Sequence, residues 1–279
     1  MACPNRLFVA RKPLFLSSNA YLSRLKRRYG VKKAGFSGTL DPFATGTLIV
    51  AFGQYTKLFR FLEKTPKTYR ATLWLGAQSP TLDIEGVTRV LPAAPLPFVR
   101  VKETLEGFVG PFTYTPPAFS AKKVAGQRAY TLARRGERTT LQPVTSHIHA
   151  LTLLHYRHPF ITFEATVSEG TYIRSLGQAV AEALGCAGAL SALERIREGA
   201  FLFENEKALD PIDFLAPPPN RYLGKEEDIF LGKKLSAKYF ENRLPGVYTL
   251  VFKDFFAIIE LKEDGSAVYL LNKVKRCSY

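Results

Sequence analysis

The chain has 279 residues, 46% of them hydrophobic, enough for a globular core and a soft expectation of about two domains. No apolar run approaches the ~20 residues of a membrane helix, and the leading MACPNRLFVARKP has no uninterrupted apolar stretch or small-residue cleavage site, so the expected location is the cytoplasm. Lys and Arg outnumber Asp and Glu by 39 to 24, a net +15 that favours a polyanionic partner; nucleic acid is preferred to a membrane surface, because no basic amphipathic terminal helix or lipidation signal is present.

Arg6 to Ala10 reads as a short strand. Ser17, Ser18 and Asn19 offer an N-cap to a helix with Leu22, Leu25 and Tyr29 at helical spacing, stopped by Gly30. Leu48 to Phe52 is a continuous apolar run and predicts a buried strand. Gln54 to Lys64 predicts a helix with Leu58, Phe61 and Leu62 on one side, ended at Thr65-Pro66. Thr68 to Leu75 alternates, placing Tyr69, Ala71, Leu73 and Leu75 on one face. A proline-rich connection surrounds Leu91 to Pro97.

Gly110 to Gln142 gathers Lys122, Lys123, Arg128, Arg134, Arg135 and Arg138, with Tyr114, Phe119 and Tyr130 interspersed. Such a segment is either a solvated insertion or a basic arm that grips a phosphate backbone. Phe160 to Ser168 alternates again. In SEGTYIRSLGQAVAEALG, Gly170 makes a turn, Thr171 is placed to cap, and Ile173, Leu176, Val180 and Leu184 form a helix stripe. Beyond the stiff APPPN, the segments Gly246 to Phe252, Phe255 to Leu261 and Ala267 to Leu271 read as strands, the last two joined by a hairpin turn at Glu263-Asp264-Gly265. The predicted fold class is α+β with a mixed sheet, followed by a small, mostly β second domain.

Many chemistries are excluded. There is no Gly-rich phosphate loop, dinucleotide fingerprint, H-E-x-x-H or EF-hand pattern. Cys3, Cys186 and Cys277 are odd in number and far apart, which predicts reduced thiols rather than a disulfide framework or a zinc site. His147 and His149 share a strand face but lack acidic or cysteine partners for a metal. What stands out is GFSGTLDPFATG, Gly35 to Gly46, with its single carboxylate, Asp41. A surface turn has this composition for backbone reasons alone. Yet Pro42 biases Asp41 to an extended backbone, Gly38 permits close approach, Thr39 adds a hydroxyl, and the strand that follows anchors the turn. A rigidly held carboxylate at a cleft edge suits a nucleophile or an electrostatic stabiliser.

The run GTLDPFATGTL resembles the catalytic motif of the pseudouridine synthases, and the match is close to the TruB type, the bacterial tRNA pseudouridine-55 synthases. RKPLFLSSNAYLSRLKRRYGVKKAGFSG is similar to that family's Lys-Pro motif, helix and lead-in, and KTYRATLWLGAQSPTLDIEG to the segment that bears its base-stacking tyrosine. PPAFSAKKVAGQRAYTLARRG resembles its RNA-gripping thumb, and SEGTYIRSLGQAVAEALG its Gly-Thr-Tyr-Ile-Arg segment. The likeness covers most of residues 6 to 215 and implies a mainly antiparallel sheet core with flanking helices. It divides the chain into a catalytic domain over 1–215, a thumb insertion over 110–145, and a short C-terminal domain over 222–279 that is only faintly like an RNA-binding PUA domain.

The resemblance implies that Asp41 is the nucleophile that permits C1′–N1 cleavage of a uridine in the T-loop of tRNA. The base then rotates and rejoins through C5, with no cofactor and no metal. It also implies that Tyr69 stacks on the flipped uracil, that Tyr172 packs on the other side, that Arg174 pairs with Asp41 and lowers its pKa, and that Leu193 walls the pocket. Lys12 and Pro13 brace the active-site turn, supported by Gly38 and Thr39. From the residues alone, a core tyrosine is the stronger reading of Tyr69, and a helix-surface charge the usual reading of an arginine placed like Arg174. Phe36 stands where the family has a histidine that wedges the RNA loop; phenylalanine stacks but donates no hydrogen bond. The expected partner is tRNA, with the protein a monomer needing no protein partner and no membrane. The alternatives are a non-catalytic RNA-binding or RNA-folding protein on the same scaffold, or the same chemistry on another RNA.

Overall fold

A computed structural model describes residues 4–120, 122–124, 127–128, 131–132, 135, 137 and 141–277. Its centre is an eight-stranded sheet built from β1 (Arg6–Lys12), β2 (Ala34–Ser37), β3 (Ala44–Phe52), β4 (Lys67–Leu75), β5 (Gly110–Tyr114), β6 (Val144–Arg157), β7 (Phe160–Val167) and β8 (Gly188–Glu198). The order is β1-β3-β8-β4-β7-β6-β5, with β2 also paired to β3. Every pairing is antiparallel except β3 with β8, which run parallel over Ala44 to Gly46 against Leu193 to Arg195. Helices α1 (Ser18–Arg28), α2 (Phe98–Glu106) and α3 (Ile173–Ala183) flank it. The expected mixed, mainly antiparallel α+β core is what forms.

Alternation decides the layers. In β4 and β7, Tyr69, Ala71, Leu73 and Leu75 face the same core as Ile161, Phe163, Ala165 and Val167, where Leu176 and Val180 of α3 and Val101 and Leu105 of α2 cover them. The opposite face is half open and is tied by cross-strand pairs: Thr68 to Thr166 and Thr72 to Thr162 at 3.1 Å, and Arg70 to Glu164 at 3.1 Å. β1 and β3 are apolar on both faces because both are covered. Phe8, Ala10, Leu48 and Val50 pack with Leu25 of α1, while Leu7, Val9, Ile49 and Ala51 pack with Phe256, Ile258 and Val274 from the far end of the chain.

Those last residues belong to a second sheet of β9 (Gly246–Val251), β10 (Phe255–Leu261), β11 (Ser266–Lys275) and the short pair Leu235–Ser236. β10 is buried on both faces: Phe256 and Ile258 face the first sheet, and Phe255, Ala257, Ile259 and Leu261 fill the second sheet's own core. The hairpin turn lies where expected, with Gly265 at φ +78° and Asp264 Oδ1 accepting from Ser266 N at 2.8 Å.

Three expectations are corrected. Gln54 to Lys64 is not a helix; only Gly53–Lys57 forms a 3₁₀ turn. The backbone beyond it pairs elsewhere, Glu63 N with Phe214 O at 2.9 Å and Ala216 N with Phe61 O at 2.8 Å, so tertiary pairing outweighs helical spacing. Thr171 does not cap α3: its hydroxyl donates to Ser168 O, and Tyr172 is the N-cap. Cys277 is disulfide-bonded rather than reduced, while Cys186 is free. The chain's ends meet, with Asn5 Nδ2 donating to Lys275 O at 3.1 Å, a proximity that sequence spacing does not reveal. Of the basic segment, Tyr130, Arg134 and Arg138 lie outside the described residues.

Candidate active site

Asp41 sits in the turn between β2 and β3, and that turn is held at successive residues. Ser18 Oγ, at the start of α1, bonds both Leu40 O and Leu40 N at 3.0 Å. Lys12, fully buried at the end of β1, donates from Nζ to Pro13 O at 2.8 Å, Leu16 O at 2.5 Å and Pro42 O at 3.1 Å. Phe43 N donates to Glu85 Oε2 at 3.3 Å, and Ala44 N to Asp41 O at 3.1 Å. Burial lowers the Lys12 pKa to about 8, against the pull of Asp41 and Glu85.

Arg174, in the first turn of α3 and 3% exposed, meets both oxygens of this carboxylate: Nε makes an ion-pair contact with Oδ2 at 2.9 Å, and Nη2 donates to Oδ1 at 3.2 Å. Its other donors are used as well, Nη1 on Thr81 O at 2.7 Å and Nη2 on Phe119 O at 2.9 Å, while Asp83 Oδ2 lies 3.5 Å from Nη1. The guanidinium is therefore aimed, because none of its donors can turn away without losing a bond. Burial pushes the Asp41 carboxyl above its ordinary range, and Asp83 adds to this, while Arg174 and Lys12 pull it down. Arg174 thus acts in the expected direction, but desolvation outweighs the ion pair.

Asp41, with its side chain 35% exposed, opens onto a cavity of about 300 Å³. Gly38, Thr39, Tyr69, Tyr172, Arg174 and Leu193 line it too, so the structure gathers these seven expected residues around one space. Tyr69 comes from β4 and Leu193 from the adjacent β8, with Leu193 opposite Ala71 and Arg195 opposite Tyr69. Tyr172 is positioned by Tyr114, whose hydroxyl accepts from Tyr172 N and donates to Gly170 O, each at 3.0 Å. Lys12 and Pro13 lie outside the lining; Lys12 reaches the turn through Pro42 O, whereas Pro13 is exposed and meets Lys12 through its carbonyl. Phe36 also lies outside the lining, half-buried against the α1 face of β2 and β3.

Sequence reasoning missed the polar floor. Arg195, 1% exposed, donates to Gly38 O at 2.9 Å and Thr47 O at 2.8 Å and pairs with Glu198 at 3.2 Å; Lys67 Nζ meets Glu198 Oε1 at 3.1 Å. Gly38, at φ +64°, sits against the polar floor: a Cβ there would lie 3.0 Å from both the Arg195 and Glu198 side chains, which would have to give way. A signal for Arg195 was present: it follows Leu193 by two residues on a strand, so both face the same side. Asp83 and Tyr114 carried none, since Arg174 and Tyr172, the residues they position, are more than fifty residues away.

A partly exposed carboxylate held by a buried guanidinium, beside an aromatic-walled space at the small end of ligand pockets, suits one nucleoside rather than a large cofactor. The architecture is that of the pseudouridine synthases. Similar solved structures are one described as a Cbf5-Nop10-Gar1 complex (25% identical, TM-score 0.56, covering 71% of this chain and 50% of that one) and one described as an H/ACA RNP bound to a substrate RNA containing 2′-deoxyuridine (18%, TM-score 0.62, 98% and 85%). The model for the TruB family pseudouridylate synthase N-terminal domain matches residues 26–173. The chain is 57% identical to tRNA pseudouridine synthase B of a Nitratiruptor species over 98% of both chains. It is 50% identical to that of Campylobacter curvus, over 98% of this chain and 100% of the other. The chain belongs to the TruB family of pseudouridylate synthases.

Proposed function

We propose that this enzyme converts one uridine of tRNA, position 55 in the T-loop, to pseudouridine, with Asp41 as the nucleophile. The C1′–N1 bond breaks, the uracil turns, C1′–C5 forms, C5 loses its proton and N1 gains one; nothing is oxidised and nothing leaves. The observation that supports this most is the bidentate pairing of Asp41 with a buried Arg174 at the mouth of a nucleoside-sized cavity. Tyr69 offers an aromatic face for the extruded base, and stacking returns roughly 1–3 kcal/mol against the few that flipping costs. Tyr172 closes the other side, and Leu193 keeps the wall apolar. Lys12, through Pro42 O, and Pro13 keep Asp41 in place. Phe36, on the half-open edge of β2, stacks on the RNA loop rather than on the target base.

Residues 1–215 carry the reaction, 110–145 grip the RNA, and 222–279 form the C-terminal unit; the protein acts on tRNA as a monomer. Incubation with an unmodified tRNA transcript, without metal or nucleotide, followed by mapping of pseudouridine, tests the assignment. One modified position in the T-loop is expected; an unchanged transcript would refute it.

A further inference from the structure

Glu169 stands on the rim of the cavity with its side chain 55% exposed. Its carboxylate lies 3.6 Å from Lys64 Nζ and 3.7 Å from Lys67 Nζ, too far for hydrogen bonds. The two ammonium groups are better fixed than the carboxylate over them. The Lys67 side chain is 7% exposed and is tied to Glu198 at 3.1 Å, and that of Lys64 is 17% exposed. The loop beneath Glu169 is also held, with Gly170 O accepting from Tyr114 and Thr171 Oγ1 donating to Ser168 O, so turning the Glu169 side chain aside requires no backbone change. A carboxylate at the mouth of a site for a polyanion opposes binding unless it moves aside.

We propose that Lys64 and Lys67 seat a backbone phosphodiester of the RNA beside the nucleotide in the cavity, and that Glu169 is a displaceable cover occupying the phosphate's place in the free protein. This rests on the RNA-modifying reading above. With Glu169 turned out, Lys67 and Arg195 share the carboxylate of Glu198 while Lys64 loses its ion pair, which leaves a net positive seat at the cavity edge. The cover weakens every anion's hold on this point, so the seat is filled by RNA that the basic surface has already anchored elsewhere.

The test is a four-chain comparison of wild type, Glu169→Gln, Lys64→Gln and the double variant, reading KM for unmodified tRNA across a salt series. Glu169→Gln is expected to lower KM about fivefold at ~0.1 M salt, the scale of one partly exposed ion pair. In the Lys64→Gln background the gain shrinks below twofold, because the seat is already incomplete. An unchanged KM for Glu169→Gln would overturn the proposal. So would an equal gain with and without Lys64, which would mark Glu169 as a distant repulsive charge only. A wild-type chain that makes no pseudouridine would instead strike the reading of the reaction, and the cover with it.

Discussion

Arg174 is the residue on which the site's geometry turns. It bonds Asp41 at two atoms and two backbone carbonyls besides, so its planar fork, not its charge alone, is needed. Arg174→Lys keeps the charge and loses the fork. Pseudouridine formation under saturating tRNA is expected to fall by about a hundredfold or more, in the range of a lost preorganised donor. The same pair sets the acid limb of the pH profile. Asp41 must be ionised to act, and its pKa is raised in the folded chain, chiefly by burial. The carboxylate is therefore lost as pH falls through a value above the ordinary ~3.9 of aspartate, and kcat/KM should decline there. Arg174→Gln removes the opposing pull and should move that limb further up; a limb that stays put would show that Arg174 does not act on Asp41's charge. The Asp41–Arg174 pair was legible in the sequence only through the resemblance, since 133 residues separate the two. Asp83, Lys67 and Glu198 were not legible at all: a buried ion pair leaves no periodicity, and its members look like ordinary surface charges until the fold brings them together.

At the scale of the element, the junction of β3 and β8 places the active-site turn. These strands run parallel for only three residue pairs, and Gly46 sits where they touch, at φ +103°. A Cβ there would lie 2.3 Å from Arg195 O, a backbone atom that cannot move without shifting the polar floor. Gly46→Ala is expected to destabilise the protein by about 2–4 kcal/mol in urea unfolding, combining strain with a backbone clash. A loss under ~0.5 kcal/mol would mean that the junction is pliant. Strands with clean alternation, such as β4 and β7, were readable because one face is buried and the other is not. The segment after Gly53 was misread because its helical spacing of Leu58, Phe61 and Leu62 arises in an irregular segment whose backbone pairs with residues 214–216. Tyr172 replaces Thr171 as the N-cap for a related reason, with the tyrosine hydroxyl of β5 taking the Tyr172 N–H.

Across the whole molecule, the second sheet is part of the scaffold as well as a candidate RNA contact. Phe256 and Ile258 of β10 pack against Leu7, Val9 and Ile49, directly behind the strands that carry Lys12 and the Asp41 turn. Phe256→Ala should cost about 3–5 kcal/mol of unfolding free energy, as for a large aromatic in a core; a cost near ~1 kcal/mol would mean that this contact is loose. The small β unit was legible from three short strand-like segments and a Glu-Asp-Gly turn. Its close docking was not, because β10's double-sided burial reads simply as an apolar run, and the meeting of the chain's ends is long-range information.

If the Asp41 carboxylate does the chemistry, replacing it with its neutral isostere must stop the reaction. Asp41→Asn keeps the shape of the turn and one oxygen toward Arg174. The expected result is no detectable pseudouridine in unmodified tRNA, with affinity for that tRNA within about threefold of wild type, since phosphate contacts supply most of the binding. Turnover at a rate comparable to wild type in this variant would remove Asp41 from the role of nucleophile.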